Sequence, residues 1–262
     1  MTDAILFSVD DGLARVTLNR PGRLNAFNAE LAEAWAAATA EAVSRDDVGA
    51  ILVDAAGPAF CAGGDVQEMA ATMTGGADIE RLAQVINSGI RSLVESSVPV
   101  VAAAHGTTAG GGLGILLSSD YAIVGADSRI GSLYANIGLV PDMSVSAQLA
   151  RAVGQRRALQ LVLRDRLLTA DEAVEWGLVA EAVGGEDAAA TAAAVRARAE
   201  EIARFWLAGA FGAYGQAKRL VRSQPARSFT EQLTEEARAI GAAFDTDDAR
   251  QRIAAFASRG KK

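Results

Sequence analysis

The residues able to do chemistry in this chain are few, and their kinds narrow the reaction before any fold is considered. There is one histidine, His105, and one cysteine, Cys61. Ser-His and Cys-His hydrolases and most zinc sites draw on histidine, and no cysteines cluster beside His105, so those chemistries lack the groups they need. Catalysis must then rest on carboxylates, backbone dipoles or a tyrosine. His105 ends an apolar run and reads as a hydrogen-bonded structural residue. Cys61 reads as inert, and no metal is implied.

Two glycine-rich segments supply the dipoles, Phe60–Asp65 (FCAGGD) and Thr107–Gly114 (TTAGGGLG). Each follows an apolar strand and opens a helix, so each presents free N–H groups and a positive helix end that attract negative charge. Either one alone is as readily a tight connection. The run from Gly110 to Gly114 lacks the G-x-G-x-x-G spacing of a dinucleotide site, and neither a P-loop nor a G-x-S-x-G elbow occurs. Among the carboxylates, Asp65 and Glu68 sit three apart like a capping box, and Asp120 opens a strand. Asp142 follows Gly138-Leu139-Val140-Pro141 and is either a proton-handling group or the cap of a helix beginning near Met143.

The elements that must position these groups follow from periodicity. ILFSVDDGLARVTLNRP reads as two strands joined at Asp11-Gly12, a pair that tolerates positive φ in a tight hairpin. Asn28 then caps a helix over 29–44, with Leu31, Trp35 and Ala38 at helical spacing. Buried strands are expected at GAILVDA, VPVVAAAHG and DYAIVGA, with a helix over IERLAQVINSGIRSLVESS and a short one at LGILLSS. Strand alternating with helix argues for crossovers around a largely parallel sheet. Beyond Asp142 the chain reads as mostly helical, from SAQLARAV to SFTEQLTEEARAIGAAF, with 186–204 as an amphipathic helix. No internal repeat is evident.

Composition sets the outer limits. With 262 residues, half of them apolar, the chain can bury a substantial core. No apolar run reaches the roughly 18 positions of a membrane span, and MTDAILFSVDDG has no secretory pattern, so a soluble, cytoplasmic protein is expected. A single cysteine rules out an intrachain disulfide. A net charge of −7 argues against a nucleic-acid partner.

Read together, these segments resemble the crotonase (enoyl-CoA hydratase/isomerase) superfamily. The resemblance rests on five motifs in order: Leu18-Asn19-Arg20-Pro21 with Arg23-Leu24-Asn25-Ala26; Phe60 to Asp65; His105-Gly106 with Gly110 to Gly112; Gly138 to Asp142; and Glu172-Ala173-Val174-Glu175-Trp176-Gly177-Leu178-Val179. It implies an α/β fold, a spiral of ββα units over 1–190, and a helical C-terminal region over 191–262 that assembles a homotrimer or dimer of trimers. It also implies an acyl-CoA substrate, with coenzyme A entering as part of the substrate and nothing bound covalently. By motif position, the amides of Gly64 and Gly111 would hold the thioester oxygen. Arg23, Leu24, Ala26, Ala62 and Asp65 would line the coenzyme A path, with Phe256 and Arg259 joining from the C-terminus.

The resemblance has one large departure. The two glutamates of hydratases in this family correspond to Gly114 and Tyr134 here. Water addition needs a base for water and an acid for carbon, so their loss speaks against a standard hydratase. Asp142 becomes the leading catalytic group, at the place where family isomerases and a 4-chlorobenzoyl-CoA dehalogenase carry an active aspartate. The dehalogenase histidine corresponds to Arg91. Tyr134 reads as pocket lining, packing or an acid-base group, and Glu68 as a possible auxiliary carboxylate. The expected activity is double-bond isomerisation. The alternatives are hydration by unrecognised groups, dehalogenase-like hydrolysis, and non-catalytic binding of the thioester.

Overall fold

The computed structural model describes residues 3–164 and 166–259, without the Arg259 side chain. Strands β1 (Ile5–Asp10) and β2 (Leu13–Leu18) form the expected hairpin, with Asp11 at φ 44° and Gly12 at φ 81° in its turn. Helix α1 (Ala29–Ser44) starts where Asn28 accepts from the Leu31 N–H at 3.0 Å. There follow β3 (Ala50–Ala55), α2 (Val66–Thr72), α3 (Gly76–Glu95), β4 (Val100–Ala104), β5 (Thr107–Ala109), α4 (Gly111–Leu117), β6 (Tyr121–Gly125) and β7 (Arg129–Gly131). After a 3₁₀ turn at Tyr134–Ile137 come α5 (Val145–Val162), β8 (Leu168–Thr169), α6 (Ala170–Glu175), β9 (Glu181–Val183), α7 (Ala188–Ala208), α8 (Phe211–Ser223), α9 (Phe229–Phe244) and α10 (Asp247–Arg259).

The larger sheet has the order β1-β2-β3-β4-β6-β9, parallel from β2 onward. A parallel sheet is covered on both faces, which is why its strands read as unbroken apolar runs. Ile51, Val53, Val100 and Ala102 face one core with Trp35 and Leu93, whereas Leu52, Val101 and Ile123 face Val195, Ala199 and Ala203 of α7. A boundary drawn at 190/191 falls inside α7, and this helix packs on the sheet. Helix α8 also docks on this body, its buried Lys218 donating to Leu93 O and Val98 O at 2.6 Å, and α9 and α10 project beyond it.

A second, smaller sheet of β5, β7 and β8 is extended by single bridges, Cys61 to Thr108 and Phe27 to Gly64. From β2 to α5 each turn of the chain therefore lays one strand in the large sheet, one short strand or bridge in the small one, and then a helix, whereas the last turn runs β8, α6, β9 and α7. This is the expected ββα spiral, built without any repeat in the sequence. The expected helical C-terminal region is present, and includes α10, which periodicity did not single out. The SAQLARAV and RRALQLVL segments form one element, α5, interrupted at Gly154 (φ 77°, ψ 154°). No described helix is long and apolar enough to cross a membrane.

Candidate active site

The small sheet is where the spiral brings chemistry together. Arg20 and the fully buried Asn25 set the shape of the segment before α1: Asn25 accepts from Arg20 N–H at 2.7 Å and donates to Ala56 O at 2.9 Å and Ala59 O at 2.8 Å. That segment then clamps the first glycine loop. Ala62 N–H donates to Leu24 O at 3.0 Å, Phe27 N–H to Gly63 O at 2.7 Å, and Asp65 N–H to Phe27 O at 2.9 Å. Since Gly63 O and Asp65 N both serve Phe27, the N–H of Gly64 between them points to the other side of the strand.

On that other side lies the second loop. Cys61 N–H donates to Thr107 O and Ala109 N–H to Cys61 O, so the loops run side by side. Their glycines meet: a Cβ on Gly63 would lie 3.4 Å from Gly111 N and 3.6 Å from Gly110 Cα. Gly63 (φ 110°) and Gly110 (φ 53°, ψ −123°) both adopt backbone angles that disfavour side chains. Gly111 is the first residue of α4. Neither its N–H nor that of Gly64 donates to an acceptor among the described residues, and both glycines line one cavity of about 440 Å³. Two neighbouring unclaimed donors can hold one anionic oxygen.

The same cavity holds a carboxylate. Asp142 lines the cavity and accepts from the Tyr134 hydroxyl, Oη to Oδ1, at 2.6 Å. Its side chain does not cap a helix, because α5 begins later, after Met143 (φ 49°) and Ser144 (φ 65°), and has no side-chain cap. Burial pushes the Asp142 carboxyl above its ordinary range, partly offset by the Tyr134 hydrogen bond. Burial and the Asp142 charge in turn raise the Tyr134 hydroxyl.

Position 114 admits no acid. A Cβ on Gly114 would overlap the Met143 carbonyl oxygen and lie 2.8 Å from Met143 Cβ. The glycine there is thus enforced by the backbone that carries Asp142.

The remaining predicted residues fall into two groups. Leu24, Ala26, Ala62 and Asp65 are drawn together by the clamp just described, with Arg23 on the surface beside them donating to Gln67. The Asp65 side chain is itself engaged: it accepts from the Glu68 N–H at 3.1 Å and pairs with Arg20 at 3.2 Å. Burial raises its carboxyl, but these partners hold it below its ordinary value. Phe256, by contrast, is 81% exposed on α10 and lies outside the cavity lining, so a single chain does not bring it to the site. Arg259 ends α10, and its side chain lies outside the described residues.

Four weaker readings also resolve. Glu68 accepts from Asn28 Nδ2 at 2.9 Å and does not line the cavity, which removes it as an auxiliary acid. His105 Nε2 lies 2.7 Å from Gly57 O, a structural contact. Burial pushes the Cys61 thiol up to about 12, and Arg91 is exposed on α3 outside the lining. Sequence reasoning missed Met69 and Met143, which pack against Gly64 and Gly111 respectively, and Glu80 at the cavity's exposed edge. It also missed which face of α3 looks inward, although the spacing of Leu82 and Ile86 on that helix carries the signal.

A ββα spiral with two neighbouring unclaimed amides and a half-buried carboxylate lining one cavity is an arrangement of the crotonase type. The family profile for enoyl-CoA hydratase/isomerase matches residues 8–262, and the chain belongs to that family. It is similar to the 1,2-epoxyphenylacetyl-CoA isomerase of Escherichia coli K12, at 31% identity over 99% of this chain and 97% of the relative. It is also similar to a 4-chlorobenzoyl coenzyme A dehalogenase-2 of Arthrobacter, at 31% identity over 95% of this chain and 88% of the relative. An enoyl-CoA hydratase/isomerase structure from Cupriavidus metallidurans superposes with a TM-score of 0.88 at 26% identity, covering 99% of this chain and 95% of that one. The protein is thus a crotonase-family acyl-CoA enzyme.

The contact at position 114 yields a direct expectation. Gly114→Ala should displace Met143 and with it Asp142, lowering the thermal midpoint by several degrees, in line with overpacking costs of about 1–3 kcal/mol. Gly114→Glu should lose more stability and gain no hydration. A stable Gly114→Glu variant that hydrates a 2-enoyl thioester would refute the steric account.

Proposed function

We propose that the protein is an acyl-CoA isomerase that moves a double bond by proton transfer, with coenzyme A entering as part of the substrate. The observation that carries this is the Asp142–Tyr134 pair inside the cavity, combined with the absence of room for an acid at position 114. The thioester oxygen sits between the amides of Gly64 and Gly111. Asp142 removes a proton from the α carbon of a 3-enoyl thioester, and the electrons move into the carbonyl to give a dienolate. The two amides stabilise that charge as it forms, in a setting where fixed dipoles act strongly. Asp142 then returns the proton to the γ carbon, so one carboxylate serves as base and acid.

Tyr134 occupies one oxygen of Asp142 and leaves the other for the proton in transit. A raised carboxyl suits this work, because a base too acidic cannot take a carbon-bound proton. Hydrolysis is less well supported: His105 is held by Gly57 O and lies outside the lining, so no imidazole stands beside the carboxylate to activate water. The similarity to an isomerase over nearly the whole chain agrees with the reading.

Assembly into a homotrimer or dimer of trimers is part of the same proposal. The projecting helices expose Phe229, Ile240, Phe244 and Phe256, each at least 60% accessible, a surface of the kind that subunits cover. Sedimentation at micromolar concentration should give three or six chains, and a monomer would contradict it.

In heavy water, a 3-enoyl-CoA should be converted to its conjugated isomer by the native protein. Asp142→Asn should lower turnover by about 10²–10⁴-fold, the range of general acid-base catalysis. Unimpaired turnover in that variant, or mass gain of one water in place of isomerisation, would overturn the proposal. Tyr134→Phe removes a donor that lowers the Asp142 pKa. The acid limb of kcat/KM should therefore move to higher pH, and an unchanged limb would separate Tyr134 from the titrating base.

A further inference from the structure

The cavity is polar on one wall and hydrocarbon on the others. Its polar side chains are Tyr134, Asn136 and Asp142 on the segment before α5, with Glu80 at the exposed edge. Facing them, α3 turns one stripe inward, Ile79, Leu82, Ala83 and Ile86, at the i, i+3, i+4, i+7 spacing of a single helical face. From Ile79 to Ile86 that stripe spans about 10 Å along the helix axis.

The hydrocarbon surface does not stop at the cavity. Ile137, Leu139 and Val140 on one lip and Val66 on the other line it while remaining 49%, 40%, 79% and 46% exposed. A volume of about 440 Å³, at roughly 30 Å³ for a water-sized group, has room for about fifteen such groups. A four-carbon acyl group with its thioester would leave much of that space to water against apolar walls, which is unfavourable.

We infer that the acyl group taken here is an extended, unsubstituted alkyl chain of medium length, about eight carbons or more. Its thioester end lies at the Gly64 and Gly111 amides, and its tail follows the α3 stripe out to the apolar lip. The elongated stripe and its continuation favour an extended chain over a compact ring. The inference rests on the reading of this cavity as the acyl site, and not on which reaction follows.

Binding of saturated acyl-CoAs of four to twelve carbons tests it without turnover, because saturated thioesters cannot isomerise. Affinity, measured by calorimetry, should rise about fourfold per added methylene until the stripe is filled near ten carbons. A hydroxyl at the sixth carbon should cost at least tenfold. Ala83→Trp, which fills the middle of the stripe, should remove most of the gain of decanoyl-CoA over butyryl-CoA while leaving the affinity for free coenzyme A unchanged, a control for folding. Affinity that is flat with length, or tighter for phenylacetyl-CoA than for decanoyl-CoA, would overturn the inference. Steep length dependence with no turnover of any 3-enoyl-CoA would sink the isomerase proposal alone, whereas turnover with flat length dependence would sink this one alone.

Discussion

Two turns of backbone have to touch. A Cβ on Gly63 would lie 3.6 Å from Gly110 Cα and one on Gly110 3.5 Å from Gly63 Cα, and the amides of the residues that follow them, Gly64 and Gly111, are left without acceptors among the described residues. Much of the architecture serves that meeting. The parallel strands β3 and β4 deliver the two loops in the same direction from adjacent positions, and Arg20 and Asn25 brace the outer loop from the preceding turn. An unpaired buried N–H is costly. Gly111 is buried and Gly64 half-buried, and their unclaimed N–H groups open on one cavity, where such donors suit an anionic oxygen.

The carboxylate side of the cavity shows the opposite economy. Leu133, Met143 and Ser144 all adopt positive φ, a conformation unfavourable for side-chain-bearing residues. Such strain persists where surrounding structure over-determines it, and it concentrates at functional positions. Here it accompanies a segment that doubles back so that Tyr134 and Asp142, eight residues apart, share a hydrogen bond. Burial and that hydrogen bond act on the Asp142 carboxyl in opposite senses, and burial prevails.

Much of this was legible in the sequence, for reasons that can be named. The Asp11-Gly12 turn, the Asn28 cap and the doubly buried strands each leave a local signature, and the glycine loops announce themselves by composition. The small sheet left none. β5, β7 and β8 are two or three residues long, and its outer members are single bridges, too short for any alternation to register. The ββα repeat was likewise invisible, because what repeats is hydrogen bonding between turns and not residue identity. Asp142 was legible as a candidate, but its role as helix cap or cavity carboxylate turned on where α5 begins. Phe256 was placed by resemblance alone, and a single chain does not bring it to the cavity.

The overlap between position 114 and the Met143 carbonyl has a historical side. An acid at that position would require the Met143 segment of this chain to run elsewhere, so exchanging one chemistry for the other involves two changes that are each unfavourable alone. Gly114 lies on α4 and Met143 just before α5, about thirty residues on, yet the two can only evolve together. A change at either place is therefore constrained by the residue at the other.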